Sequence, residues 1–151
     1  MNNDNDNLAV RPKAPWWFWL VSLLFIAWNI IGVSNYLGSV NATAESLIAK
    51  EFTLEQAEFM LAMPAYYTAV FALAVWSGLI GAILLLLRKS WAVKVFIFSA
   101  FMVVLSFILD VVGGSFKMLG TPYVIVMVIV VLLALFEVWF SAHMKAKGLL
   151  N

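Results

Sequence analysis

Cysteine is absent from this 151-residue chain, histidine occurs once, and only 11% of the residues carry a charge. Without cysteine there is no disulfide, no thiol nucleophile and no cysteine-based metal site. The lone histidine, His143, completes neither a metal cluster nor a Ser/His/Asp set, and the sequence has no phosphate-binding glycine loop. The sequence therefore predicts no enzyme, no metal and no cofactor.

Hydrophobic residues make up 65% of the chain, whereas an ordinary soluble domain has about 45–50%. They form four runs, each close to the roughly 20 residues that a helix needs to cross a bilayer. The runs cover residues 16–37, 65–87, 91–112 and 122–142. We predict an all-α membrane protein, an antiparallel up-down four-helix transmembrane bundle surrounded by lipid, with a short amphipathic helix on its outer side.

Basic residues set the expected orientation, because short cytoplasmic flanks carry an excess of lysine and arginine. One side of the predicted bundle holds only Lys50 and Lys117. The other side holds Arg11, Lys13, Arg88, Lys89, Lys145 and Lys147. Both chain ends should therefore be cytoplasmic, with a disordered segment over residues 1–14 and a short tail over 146–151. Because the basic residues cluster at helix ends, no nucleic-acid partner is predicted.

The one sizeable loop joins the first two membrane helices, and residues 43–63 in it predict one or two interfacial helices. Thr53 and Gln56 have the spacing of a capping box, in which the Thr53 hydroxyl accepts from the backbone N–H of Gln56. This outer segment is either a lid that packs on the bundle or a docking surface for a partner. The sequence favours neither.

Polar residues inside the apolar runs are the best site candidates. Asn29 and Tyr36 share a face of the first membrane helix, and Ser106 and Asp110 share a face of the third. Two such stripes could line a small cavity that opens outward, or they could hold the bundle together by hydrogen bonds between helices. Lys117 is close enough in sequence to neutralise Asp110.

Glu137 is the most informative single residue. It is predicted about one and a half turns inside the cytoplasmic end of the fourth helix, and a carboxylate in a membrane helix is costly unless it is paired. Lys94 enters the third helix from the same side at comparable depth, so our first expectation is a Glu137–Lys94 ion pair. The alternatives are a titrating carboxylate that serves proton coupling, a side chain that snorkels to the interface, or a contact with another subunit.

Small residues repeat every four positions in the second membrane helix, at Ala74, Gly78 and Ala82. Such spacing lets helix backbones approach closely. We expect tight packing inside the bundle rather than a homodimer seam.

Several local patterns together resemble a known group of proteins. They are Pro15-Trp16-Trp17, Trp28-Asn29-x-x-Gly32-x-x-x-Tyr36, Met63-Pro64 and Leu86-Leu87-Arg88-Lys89-Ser90-Trp91-Ala92. Over residues 12–112 the chain resembles small four-helix bacterial inner-membrane proteins, mostly uncharacterised and sometimes labelled "sugar transporter". The resemblance implies a four-helix architecture and a bacterial inner membrane, and it adds weight to transport.

Two functional hypotheses follow. The first is a permease for a sugar or another small polar solute, acting as an oligomer because one protomer encloses little volume, with Asn29, Tyr36, Asp110 and Glu137 along the route. The second is a non-transporting accessory subunit that packs against another membrane protein through the second membrane helix and the outer helix.

Overall fold

The computed structural model describes residues 12–151, which contain six helices and no strand. The helices are α1 (Trp16–Val40), α2 (Ala44–Ile48), α3 (Leu54–Leu61), α4 (Ala65–Leu86), α5 (Trp91–Gly113) and α6 (Ser115–Ala146). Most of the segment predicted to be disordered, residues 1–14, lies outside the described part of the chain. Residues 12–14 precede α1 without helical structure.

Four of the helices, α1, α4, α5 and α6, are long and apolar enough to cross a membrane. Consecutive membrane helices pack against each other, and α1 meets α6 mainly through side chains, such as the Phe25 and Phe140 rings with centroids 5.4 Å apart. Large apolar side chains such as Leu24, Ile31 and Leu132 remain more than half exposed, as expected for a surface that contacts lipid. The predicted all-α four-span bundle is confirmed.

The fourth membrane helix differs from its predicted bounds at both ends. Gly120 has a φ of 78°, a backbone conformation that glycine adopts far more readily than other residues. This break separates residues 115–119 from the long helical segment that follows. Pro122 then lies in the first turn of that segment, where its missing N–H costs nothing. The helix runs four residues past the predicted end at 142, to Ala146, and this extension buries Met144 in the core.

The outer segment forms two short helices. The Thr53 hydroxyl accepts from Gln56 N at 3.2 Å and Gln56 Oε1 accepts from Thr53 N at 3.1 Å, which confirms the predicted capping box of α3. Gln56 Nε2 also donates to Met118 O at 3.1 Å, and Ala57 is fully buried. Helix α3 therefore packs on the bundle and keeps Glu55 and Glu58 exposed, an arrangement that fits a lid and also leaves a face for a partner.

The small residues of α4 face inward. Ala74, Gly78, Gly81 and Ala82 are all buried, and a Cβ added at Gly81 would lie 2.9 Å from the Phe96 ring. The close approach of α4 to α5 at this point therefore requires glycine. Tight packing within the bundle, predicted in preference to a dimer seam, is confirmed.

A clasp of hydrogen bonds closes the end of the bundle where α1 begins and α6 ends. Arg88 donates from Nε to Leu149 O at 2.8 Å and from Nη2 to Pro12 O at 3.0 Å. Asn151 N donates to Arg88 O at 2.8 Å, and Ser90 N donates to Asn151 O at 2.6 Å. We call these five residues the clasp. It joins three separate chain segments around the α4–α5 turn.

Residues 146–151, predicted to be a simple tail, instead fold back onto the bundle. Gly148 has φ 70 and turns the chain, after which Leu149 and Leu150 are buried. Both leucines join the core cluster that contains Phe18, Phe96 and Phe140. Burial of two leucines, together with the clasp, explains why this segment does not stay in solvent.

Candidate functional site

The Glu137 carboxylate points into the bundle and is bonded to the amide of Asn29. Asn29 Nδ2 donates to Glu137 Oε1 at 2.6 Å and also to Phe25 O, one turn earlier in α1, at 2.9 Å. Both side chains are buried, with 3% of Glu137 and 7% of Asn29 exposed. The pair therefore links the first membrane helix to the last.

Both residues lie well inside their helices, away from either end of the bundle. Glu137 precedes the end of α6 at Ala146 by nine residues, which is about 13 Å at 1.5 Å per residue. Asn29 follows the start of α1 at Trp16 by thirteen residues, or about 20 Å. A helix crosses a hydrocarbon core about 30 Å thick, so both positions fall within the length of helix that would span a membrane. Glu137 is thus about one turn farther from the end of its helix than predicted, because α6 continues beyond residue 142.

The other two membrane helices meet the pair at Gly78 and Ser99. A Cβ added at Gly78 would overlap Asn29 Oδ1 and would lie 3.1 Å from Ser99 Oγ. Ser99 Oγ donates to Ala74 O at 2.8 Å, which ties α5 to α4. We call Asn29, Gly78, Ser99 and Glu137 the midplane cluster. Each membrane helix contributes one of its members, and Asn29 contacts both Glu137 and Gly78.

The predicted ion pair between Glu137 and Lys94 is wrong. Lys94 is exposed, and its Nζ lies 4.7 Å from the centroid of the Trp91 ring, at the end of the same helix. The inward face of α5 includes Ala92 and Phe96. Lys94 is two positions from each, which places it on the opposite side of a helix with 3.6 residues per turn.

Aromatic rings separate the midplane cluster from the clasp. Phe25 packs edge-to-face against Phe96, Phe136 and Phe140, with centroid distances of 6.1, 5.7 and 5.4 Å. Such edge-to-face pairs are a favoured arrangement of aromatic rings. Since Phe25 lies one turn from Asn29 toward the clasp, this layer covers the cluster on that side.

A second polar cluster lies at the other end of the bundle, around Asp110. The Tyr123 hydroxyl donates to Asp110 Oδ2 at 3.0 Å, and the fully buried Ser115 lies beside the same carboxylate. Tyr67 reaches α5 nearby, where its hydroxyl donates to Leu109 O at 2.9 Å. Lys117, which the sequence offered as a cation for Asp110, is exposed. The carboxylate is instead held by a tyrosine.

The structure brings Asn29 together with Glu137 but places the other candidates apart from this pair. The Tyr36 ring packs against Phe71 of α4, with centroids 5.8 Å apart, and Ser106 is half-buried on α5. Asp110 belongs to the separate cluster near the far end. The two polar stripes are therefore not joined into a single row of contacts.

Two surface clefts lie outside the midplane cluster. One, of about 150 Å³, lies around the link between α3 and α4 and is lined by residues that include Phe59, Met63 and Tyr67. The other, of about 140 Å³, lies between α5 and α6 and is wholly apolar, with Phe107 and Leu132 in its wall. Neither cleft is lined by Asn29 or Glu137.

Sequence reasoning missed the pairing of Tyr123 with Asp110. The signal was present, because these residues flank the short link between the third and fourth apolar runs, and antiparallel packing brings such flanks together. Comparison with protein-family models, with curated proteins and with solved structures gave no match.

Proposed function

We propose that this integral membrane protein is a permease for a small polar solute, such as a sugar, and that the Asn29–Glu137 pair is its central site. The observation that carries the proposal is a carboxylate that faces the interior of the bundle, well inside a membrane helix, where its partner is an amide rather than a cation. Ionisable residues placed in this way typically mark the route of a solute or an ion.

The chemistry of the pair suits exchange with a solute. The Asn29 amide gives Glu137 an N–H donor, and a hydroxyl or amine group of a solute offers the same kind of donor. Solute binding would replace one hydrogen bond by another, so the carboxylate would not be left without a donor. A purely structural role would be filled at lower cost by apolar side chains of similar volume.

In this proposal the contacts around Asn29 correspond to the closed state of the permease. Asn29 Oδ1 and Ser99 Oγ lie against Gly78, and the aromatic layer covers the pair toward the clasp. Passage of a solute requires α1 and α6 to separate at the Asn29–Glu137 contact. Because one protomer encloses so little space, we propose that the permease acts as an oligomer.

Uptake into proteoliposomes tests this function. Wild-type protein should take up at least one member of a panel of radiolabelled sugars, polyols and amino acids. Glu137→Gln keeps an oxygen acceptor but removes the acidic group, and it should lower the initial rate about tenfold, the effect of weakening the hydrogen bond to a solute by roughly 1.5 kcal/mol. Glu58→Gln, which removes an exposed carboxylate from α3, is the matched control and should leave uptake unchanged. No uptake of any solute by the wild type would refute the proposal.

The uneven distribution of lysine and arginine between the two ends of the bundle supports an orientation with residues 12 and 151 on the cytoplasmic side. The resemblance to bacterial inner-membrane proteins supports a bacterial inner membrane. Because the chain has no cysteine, single-cysteine variants can be labelled without background. A membrane-impermeant maleimide added to intact spheroplasts should label Glu51→Cys but not Lys145→Cys. The reverse pattern would invert the topology.

An accessory role is the second candidate, and the packing of α3 favours it. Gln56 ties α3 to α6 through Met118 O, while Glu55 and Glu58 face outward. This ordered, acidic outer surface could contact another membrane protein beside the bundle. The two functions separate experimentally: an accessory subunit would show no uptake alone, and Glu55→Gln with Glu58→Gln would weaken its complex while Glu137→Gln would not.

A further inference from the structure

Three lysines from distant parts of the chain lie next to clasp residues. Lys13 follows Pro12, Lys89 follows Arg88, and Lys147 precedes Leu149 by two residues. All three lysine side chains are exposed. Because Arg88 bonds to both Pro12 O and Leu149 O, the clasp fixes the backbones that carry these lysines relative to one another. The result is a cationic surface with a defined position on the fold.

Tryptophan side chains place this surface at the level of lipid headgroups. Trp16 and Trp91 are 75% and 64% exposed at the same end of the bundle, and such rings prefer the membrane–water interface. The Nζ of Lys147 lies 5.9 Å from the centroid of the Trp17 ring, as Lys94 lies over Trp91. These cation–π contacts hold the ammonium groups beside the interface.

The acidic side chains of residues 12–151 lie away from this end of the bundle. Within residues 12–151, four of the six acidic side chains are in the outer segment, at Glu45, Glu51, Glu55 and Glu58, and the other two are the buried Asp110 and Glu137. Within residues 12–151, the clasp end therefore has basic side chains and no neighbouring acidic side chain. Asp4 and Asp6 occur earlier in the sequence.

We infer that the clasp end is a binding surface for acidic phospholipids, with Lys13, Lys89 and Lys147 donating to the headgroup phosphate. A basic cluster directly next to membrane helices is the usual form of an acidic-lipid site. The apolar, exposed faces of α1 and α5 begin immediately below it, at Leu20 and Ile97, and would contact the acyl chains. This continuity favours a lipid over a free phosphate ion. The inference holds whether or not the protein transports a solute.

Native mass spectrometry of delipidated protein tests the inference, with phosphatidylglycerol, phosphatidylcholine and inorganic phosphate as the probes. Phosphatidylglycerol should bind more tightly than phosphatidylcholine. Since a lysine near an acidic membrane surface contributes roughly a fivefold change in affinity, the double variant Lys89→Gln/Lys147→Gln should lose roughly 25-fold for phosphatidylglycerol. The variant Lys50→Gln/Lys117→Gln makes the same charge change at the other end and should retain wild-type binding.

Three outcomes would overturn the inference. The first is equal affinity for phosphatidylglycerol and phosphatidylcholine, and the second is an equal loss of phosphatidylglycerol affinity in the two double variants. The third is that inorganic phosphate displaces phosphatidylglycerol completely and binds with the same affinity as the lipid. The third would make the site one for free phosphate. Unchanged thermal unfolding of both variants shows that a loss of lipid comes from the surface and not from the fold. The four substituted side chains are exposed, so both variants should fold.

Discussion

The side-chain amide of Asn29 donates to the carboxylate of Glu137 across 2.6 Å and joins the first membrane helix to the last. The two residues are 108 positions apart in the chain. Backbone contacts between neighbouring helices run from α1 to α4, α5 and α6 in turn. This one hydrogen bond therefore supplies the polar part of the contact that completes the ring of four helices.

Removal of the amide should destabilise the bundle. In Asn29→Leu the carboxylate of Glu137 loses its donor, and a buried polar group left unpaired costs about 1–3 kcal/mol. Unfolding by denaturant in detergent micelles measures the change. Ser34→Ala removes an exposed hydroxyl from the same helix and should change stability by less than about 0.5 kcal/mol.

A double variant separates pairing from packing. Asn29→Leu combined with Glu137→Leu removes both polar groups, so part of the stability lost in the single variant should return. A double variant whose losses simply add would show that the two side chains do not stabilise each other.

Gly78 should not tolerate even a methyl group. In Gly78→Ala the new Cβ would overlap Asn29 Oδ1 and crowd Ser99, and overpacking of this kind typically costs about 1–3 kcal/mol. The control is Gly38→Ala in α1, where the nearest atom to a Cβ is Lys50 Nζ at 3.9 Å. That change should be neutral or stabilising, because alanine is the better helix former by up to about 1 kcal/mol. Thermal unfolding in micelles distinguishes the two, and equal effects would contradict close contact at Gly78.

Tyr123→Phe should weaken the Asp110 cluster. The substitution keeps the ring but removes the hydroxyl that donates to Asp110, at a cost of roughly 1–3 kcal/mol for the buried acceptor left behind. Tyr36→Phe is the matched control, because Tyr36 contacts Phe71 through its ring. Hydrogen exchange at the α5–α6 link should rise in the first variant only. Protection that matches the wild type would show that Asp110 does not need this donor.

Arg88→Gln should loosen the clasp. The variant loses the planar guanidinium that reaches both Leu149 O and Pro12 O. Two hydrogen bonds worth about 1 kcal/mol each correspond to roughly a 30-fold increase in local opening. Trypsin cleavage after Lys147 should accelerate by about that factor, whereas Lys89→Gln at the exposed neighbour should leave the rate unchanged. Cleavage at the wild-type rate in Arg88→Gln would mean that burial of Leu149 and Leu150 alone holds the segment.

Much of the architecture could be predicted because lipid imposes simple rules on a chain. The lengths of the apolar runs predict the four membrane helices. Pro64 indicates the start of α4, and the spacing of Thr53 and Gln56 predicts the cap of α3. These signals are local. Each depends on residues within one helix or beside it, so no knowledge of the partner helices was needed.

The partner of Glu137 could not be predicted for a physical reason. Membrane helices here are apolar on nearly all sides, so hydropathy reveals their length but not their rotation about the axis. Depth alone made Lys94 a reasonable partner, yet α5 turns that residue toward Trp91. The fold-back of residues 149–151 was missed for a similar reason, since it depends on Arg88, sixty-one positions away from Leu149.

The order in which ribosomes deliver the helices gives the Asn29–Glu137 contact a further consequence. Asn29 enters the bilayer with α1, when the segment that carries Glu137 has not yet been synthesised. During that interval its amide has only the Phe25 carbonyl of its own helix, and the nascent chain has an open side. When α6 inserts, Glu137 accepts from Asn29 and the last helix packs against the first. The bundle is therefore complete only once α6 has been made.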